Sequence, residues 1–242
     1  MKDIHSHLLY GIDDGSKSIE ESIELLKKMK KQGIDELILT PHYIEESKYN
    51  CNNKSKEKIF KELSKKAQEE GIEIKLYLGN EAFFATNLLE LIKKGEVATL
   101  NNSKYILFEF PMKQIYKNTA EIINELVSHG YVPILAHPER YKVFQEHPNM
   151  MEDYLRSGVL LQGNFTSLFG KYGKTAEKTL KYFLRKRWVT FLGSDTHHEV
   201  KFSAKKLERK LNKITKDKGY TSSLMYDNFD KVIKNEDIGI LR

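Results

Sequence analysis

Two histidines one residue apart, His5 and His7, sit near the start of the chain in the stretch KDIHSHLLYGIDDG, with the carboxylates Asp13 and Asp14 a short step downstream. In an extended segment, side chains two residues apart point the same way, so both imidazoles can address one ion. By itself an H-x-H pair is equally at home as two polar residues in a surface turn. Further residues of the same chemistry decide between these readings: His42 in TPHY, Glu81 in GNE, Glu109 in FEFP, His137 in AHPERY, and Asp195 and His197 in GSDTHH. Imidazole and carboxylate with almost no sulfur suit manganese, zinc or iron rather than a structural thiolate zinc. The set exceeds what one ion needs, and two or three ions sharing bridging carboxylates is the economical reading. Arg140 stands beside them in AHPERY. A guanidinium next to several divalent ions points to an anionic substrate, most simply a phosphoryl group held in a bidentate fork. The competing reading pairs Arg140 with Glu139 or another carboxylate.

These residues need a scaffold that brings distant segments to one place. Short apolar runs at 36–40, 72–78, 105–110, 132–136, 159–162 and 188–192, with the segment ending at 3–4, read as seven buried strands. Helical periodicity separates them over 19–32, 55–70, 86–94, 118–129, 149–156 and 175–187, and two more helices, 204–216 and 228–234, follow. Ser18 and Glu21 have the spacing of a capping box at the first helix. Strand–helix alternation with strands apolar on both faces predicts a parallel sheet, a seven-stranded barrel first and an open doubly wound sheet second. In a barrel the chemistry sits at the C-terminal ends of the strands. His5, His7, His42, Glu81, Glu109, His137, Asp195 and His197 all fall at such ends, so that five of the eight histidines share one rim.

Composition narrows the classes further. The 242 residues are 40% hydrophobic and 31% charged, the balance of a globular protein, and the length suits a single domain spanning 1–242. No apolar run approaches the roughly 20 residues that span a bilayer. The absence of an apolar leader and the single cysteine, Cys51, give the expectation of a reducing, cytoplasmic setting. Cys51 lies in the polar stretch YNCNNKSK, which carries no thiol-phosphatase signature. The net charge of +6 permits anion or nucleic-acid binding, yet the lysines interleave with glutamates along helices, as on solvated faces.

Taken together, HSHLLYGIDDG, TPHY, GNE, FEFP, AHPERY and GSDTHH resemble, in order and over nearly the full length, the polymerase and histidinol phosphatase (PHP) superfamily. Within it they are similar to the bacterial manganese-dependent protein-tyrosine phosphatases associated with capsule and exopolysaccharide synthesis. The resemblance implies a distorted (β/α)7 TIM-like barrel and three divalent ions, manganese first, with iron, zinc or magnesium as alternatives. By position it implies the ligands His5, His7, Asp13, His42, Glu81, Glu109, His137, Asp195 and His197, with Asp13 preferred to Asp14 on its spacing from His7. It implies a phosphate-binding role for Arg140. Where relatives carry a second phosphate-binding arginine this chain has Lys201 and Phe202, so Lys201 is the expected substrate contact, as a point charge. The activity implied is hydrolysis of phosphotyrosine by a metal-activated water, with His198 a candidate proton donor and a bacterial tyrosine kinase as protein partner. A small-molecule phosphoesterase such as a histidinol-phosphate phosphatase is the alternative, and a non-catalytic module binding metal or anionic polymer the third reading.

Overall fold

The computed structural model describes residues 1–112 and 118–239. Its strands are β1 (Lys2–Asp3), β2 (Glu36–Leu39), β3 (His42–Tyr43), β4 (Lys75–Leu78), β5 (Glu81–Phe83), β6 (Tyr105–Glu109), β7 (Val132–Ala136), β8 (Leu160–Asn164) and β9 (Val189–Gly193). Between and after them run α1 (Ile19–Lys31), α2 (Asn53–Glu69), α3 (Leu88–Lys93), α4 (Thr119–Ser128), α5 (Lys142–Glu146), α6 (Met151–Arg156), α7 (Gly173–Arg185), α8 (Ala204–Thr215), α9 (Lys218–Ser222) and α10 (Asn228–Ile233).

Every strand pairing is parallel, in one sheet of order β1-β2-β4 and another of order β3-β5-β6-β7-β8-β9. The two sheets are continuous through the chain. β2 passes into β3 at Pro41, whose ring leaves no N–H for a ladder, and β4 passes into β5 at Gly79–Asn80. Two strands are thus each broken into a pair, leaving seven parallel paths in the order the sequence predicts. The last path returns to the first: Ser6 bridges Thr196, the His7 amide donates to the Thr196 carbonyl at 2.9 Å, and the Asp195 amide donates to the His5 carbonyl at 3.0 Å.

Alternation along the strands connects the packed interior to the polar end. Ile38, Tyr77, Tyr105, Leu107, Ile134, Ala136, Leu160 and Phe191 form one buried cluster, closed at its lower end by Phe229 and Val232 of α10. Stepping by two from these residues toward the strand ends gives His42 after Ile38, Glu81 after Tyr77, Glu109 after Leu107 and Asp195 after Phe191. Within β6 the period of two keeps Glu109 on the inward face, and the other three, beyond the strand breaks and the end of β9, meet it as a polar layer above the apolar stack. A larger cluster packs the outer strand faces against the helices, drawing Leu25, Leu26 and Met29 from α1 and Leu180, Phe183 and Leu184 from α7. The expected cap of α1 is present, with the Glu21 amide donating to Ser18 Oγ at 3.3 Å.

Three local differences from the sequence reading have physical causes. The third strand begins at Lys75 rather than 72, because the Ile72 amide returns to the Ala67 carbonyl at 2.9 Å and closes α2. The helix expected over 149–156 divides into a 3-10 turn, Pro148–Met150, and α6. α5 and α9 are too short to register as a 3.6-residue period, and the sequence reading missed both.

Gly193 is the tightest point between the first and last paths. A Cβ there would lie 2.6 Å from His5 Cβ and 2.8 Å from Gln162 Nε2. Gly193→Ala is therefore expected to cost about 1–3 kcal/mol of overpacking, measured by chemical denaturation of the metal-free chain. An unchanged midpoint would show that the strand ends yield freely.

A candidate metal centre at the strand ends

Glu81, the first residue of β5, is fully buried, and four histidines from three other paths converge on it. Its Oε2 lies 3.1 Å from His5 Nε2, 3.2 Å from His7 Nε2 and 3.1 Å from His42 Nδ1, while Oε1 lies 2.8 Å from His137 Nε2. Glu109 faces His42 Nδ1 at 3.2 Å and His137 Nε2 at 3.7 Å. On the other side, Asp195 Oδ1 lies 3.5 Å from both His7 Nε2 and His197 Nδ1. His7 and His197 stack with ring centroids 4.0 Å apart.

Buried polar atoms normally find partners. Here His42 Nδ1, His137 Nδ1 and Glu81 Oε2 have no hydrogen-bond partner among the described residues. His42 Nδ1 and Glu81 Oε2 face one another, as donor atoms sharing a cation would. Three overlapping groups bring their donor atoms within 4.8 Å of one another: His7, Asp14, His42 and His197; His5, His7 and Glu81; His42, Glu81 and Glu109. The nitrogen and oxygen donor set fits divalent transition ions, and the shared His7, His42 and Glu81 fit more than one ion.

The ligand reading changes at position 13. Asp13 is spent on the scaffold: Oδ2 accepts from His7 Nδ1 at 2.7 Å and from the His42 amide at 2.9 Å, and Oδ1 accepts from the Gly15 amide at 2.8 Å. It orients His7 from behind, as carboxylates commonly do for ligating histidines. Asp14 instead reaches into the cluster, with Oδ1 3.5 Å from His42 Nε2 and 3.4 Å from His197 Nε2. Of the two neighbours, Asp13 thus contacts His7 Nδ1 and two backbone amides, whereas Asp14 faces His42 and His197.

Other supporting residues had no signal as metal-ligand types. Gln162 Oε1 is 2.8 Å from His5 Nδ1, and Gln162 Nε2 donates to Asn164 Oδ1 at 2.9 Å. Asn164 Nδ2 donates to Asp195 Oδ2 at 2.8 Å. Buried Lys56 donates to Asn80 Oδ1, which also accepts from the Ala98 amide at 2.8 Å, while Asn80 Nδ2 donates to the Pro41 carbonyl at 2.8 Å. That knot ties together the two strand breaks that precede His42 and Glu81. Burial holds the Lys56 ammonium down at about 7.

Arg140 binds a carboxylate, though not its neighbour. Its Nη1 donates to Asp195 Oδ2 at 2.6 Å, whereas Glu139 is buried and accepts from Ser167 Oγ at 2.7 Å and the Asn164 amide at 3.0 Å. Arg140 still lines the open pocket of about 720 Å³ above the cluster, with Phe169, Lys171, Tyr172, His198 and Lys201. Lys201 is on that wall, but its side chain is 77% exposed and its ammonium pairs with Glu199. Two non-glycine residues at the site, His137 (φ 36°) and Asp195 (φ 50°), have left-handed backbones at the ends of β7 and β9. Such strain persists where the surroundings over-determine it and is common at functional sites.

Charge coupling shapes the protonation of the site. Burial opposes charging of His7 and His42, and so does the charge of His42 on His7; Asp13 and Glu81 still carry His7 up to about 9, and Glu81 and Glu109 carry His42 up to about 10. Burial and the neighbouring His7 hold His197 down at about 4. Burial works against ionised Glu81, but His5, His42 and His137 hold it well below the usual carboxylate range. In the metal-free chain His7 and His42 are thus protonated at neutral pH, and a metal must displace those protons to reach the imidazole lone pairs. Manganese binding is expected to release protons, and its apparent affinity to keep rising with pH until His7 and His42 lose their protons at about 9 and about 10. Titration calorimetry in buffers of different ionisation enthalpy measures both, and pH-independent binding without proton release would refute the assignment.

Comparison with known proteins agrees with this geometry. Residues 1–234 match the family model described as capsular polysaccharide synthesis, CpsB/CapC. The chain is 31% identical over 206 residues to the tyrosine-protein phosphatase CpsB of Streptococcus pneumoniae, covering 82% of this chain and 83% of that one. It is 29% identical over 198 residues to the tyrosine-protein phosphatase YwqE of Bacillus subtilis, covering 82% and 78%. A solved structure of the YwqE and CpsB proteins from those two species, described as metal-dependent tyrosine phosphatases, superposes with a TM-score of 0.90 at 26% identity, covering 98% of this chain and 96% of that one. An amidohydrolase from Mycoplasma synoviae shares the fold alone, with a TM-score of 0.59 at 12% identity and 98% and 88% coverage. A match of the family model across almost its whole length, with the histidine and carboxylate motifs gathered at one site, places this chain in the CpsB/CapC family.

Proposed function

We propose that this chain is a metal-dependent protein-tyrosine phosphatase, working as one domain in the cytoplasm. The observation that carries the reading is the convergence of His5, His7, His42 and His137 on buried Glu81, under an open pocket that Arg140 also lines. The metal ligands would be His5, His7, Asp14, His42, Glu81, Glu109, His137, Asp195 and His197, holding three divalent ions, manganese first. The named activity of the CpsB and YwqE relatives supports the choice of substrate. The family's link to capsular polysaccharide synthesis supports a tyrosine kinase of that system as partner.

Divalent ions bound there supply Lewis acidity toward phosphoryl oxygens and acidify water, so no protein nucleophile is required. Half-buried Cys51 is not among the residues lining the pocket, and burial pushes its thiol up, away from reactivity. Arg140 binds nonbridging oxygens, its guanidinium oriented by Asp195 Oδ2 and by the Tyr172 ring 4.5 Å away. A tyrosinate leaving group, with a reference pKa of about 10, needs less proton assistance than an alkoxide. His198 lines the pocket, its Nδ1 3.1 Å from Glu21 Oε1, and is the candidate proton donor.

The test is phosphate release from a phosphotyrosine peptide by the chelated chain, with and without manganese, with histidinol phosphate as competitor. Metal-restored release from the peptide, little reduced by the competitor, is the expected result; activity confined to histidinol phosphate would move the chain to small-molecule chemistry. Arg140→Ala is expected to lower kcat/KM by about 100-fold while manganese content is retained. Loss of both together would make Arg140 structural. Asp14→Asn is expected to lower the number of ions bound, whereas Asp13→Asn weakens affinity by about 10–100-fold through the His7 ring; the reverse pattern would restore Asp13 as the ligand.

A further inference from the structure

Lys171 and Tyr172, on the turn between the 3-10 helix Phe165–Phe169 and α7, line the same pocket as Arg140, although no motif pointed to them. Gly170 (φ 84°) and Gly173 (φ 85°) bracket them. A Cβ at either glycine would meet nothing within 4 Å, so what glycine supplies is the left-handed backbone rather than space. The Gly173 amide returns to the Gly170 carbonyl at 3.1 Å and the Lys171 amide to the Thr166 carbonyl at 3.3 Å, which sets the turn.

The turn gathers cations around one ring. The Tyr172 hydroxyl donates to Asp195 Oδ2 at 3.1 Å. Its ring lies 4.5 Å from the Arg140 guanidinium carbon and 5.1 Å from Lys171 Nζ, so both cations rest against the same π-system. Lys171 Nζ also donates to the Asp195 carbonyl at a long 3.4 Å. No carboxylate forms an ion pair with Lys171 among the described residues, in contrast to Lys201, whose charge Glu199 partners. Two cations held against one ring repel each other, and an anion that contacts both relieves that repulsion.

We propose that Lys171 is the second substrate-binding cation of this site, gripping the phosphoryl group of a phosphomonoester together with Arg140, and that Tyr172 is a positioning residue that spaces the two. The inference deepens the phosphatase reading and rests on it. A guanidinium offers a flat fork and an ammonium a compact set of three donors, so the pair can contact different nonbridging oxygens of one dianion.

The experiment measures inorganic phosphate binding to the manganese-loaded chain by calorimetry, beside turnover of a phosphotyrosine peptide. Lys171→Met is expected to weaken phosphate binding and raise KM by about tenfold or more, with manganese affinity and thermal midpoint retained, and Lys171→Arg to recover part of the loss. Lys174→Met removes the same charge from the first turn of α7, outside the pocket, and is expected to change phosphate affinity by less than about twofold. Tyr172→Leu is expected to weaken phosphate binding more than Tyr172→Phe, which keeps the ring. Phosphate affinity unchanged in Lys171→Met, or altered no more than in Lys174→Met, would overturn the inference even if the parent chain cleaves the peptide. A parent chain that binds phosphate in a Lys171-dependent way without turnover would uphold Lys171 as an anion contact and overturn the phosphatase reading. A parent chain that binds no phosphate overturns both.

Discussion

A buried carboxylate shared by several imidazoles governs this molecule. Glu81 and Asp195 are almost fully removed from water, and an ionised carboxylate in such a place is costly unless charge and hydrogen bonds compensate it. The histidines of four strand paths supply that compensation, and every Glu81 pair and the His7–Asp195 pair join different paths. The cluster therefore forms only when every contributing strand end is in register. Its members hold one another in place, yet they leave His42 Nδ1 and Glu81 Oε2 without hydrogen-bond partners. The site is organised around positive charge, which protonated His7 and His42 and the Arg140 guanidinium supply in the metal-free chain.

The scaffold is suited to that demand because strand interiors and strand ends carry opposite chemistry on one inward face. Below, Ile38, Tyr77, Leu107 and Phe191 fill the space among the strands; above, at or just beyond the ends of the same paths, stand His42, Glu81, Glu109 and Asp195. The breaks at Pro41 and Gly79–Asn80 re-aim two strands at this boundary, and Asn80 clamps them through the Pro41 carbonyl and the Ala98 amide. Lys56, whose ammonium burial holds down at about 7, is a costly residue to place there. Its bond to Asn80 helps hold both loops at the distance their ligands require.

Behind the inner donors stands a layer that fixes their orientation. Asp13 holds His7, Gln162 holds His5, and Asn164, Arg140 and Tyr172 all donate to a single oxygen, Asp195 Oδ2. That oxygen joins the histidine–carboxylate cluster to the pocket wall formed by Arg140 and Tyr172. Arg140 is consequently both a partner of the cluster and a wall of the pocket, a double duty that neither sequence reading of the residue anticipated in full.

How much of this was legible in advance follows from the range of the forces involved. Local periodicity and turn chemistry are one-dimensional, so the strand–helix alternation, the capping of α1 and the placement of His5, His7, His42, Glu81, Glu109, His137, Asp195 and His197 at strand ends could be read directly from residue order. Short elements such as α5 and α9 escaped, because fewer than two turns leave no period to detect. Side-chain direction within a turn is decided in three dimensions, which is why Asp13 and Asp14, adjacent and identical in chemistry, could not be told apart by spacing. The same holds for Lys201 and Lys171: both are lysines at the rim, and only the folded chain shows that one is paired with Glu199 while the other lies against the ring that also holds Arg140. Sequence by itself determined which chemistry was available and at which end of the strands. Tertiary structure decided which atoms face inward, because burial and charge compensation act between residues far apart in the chain.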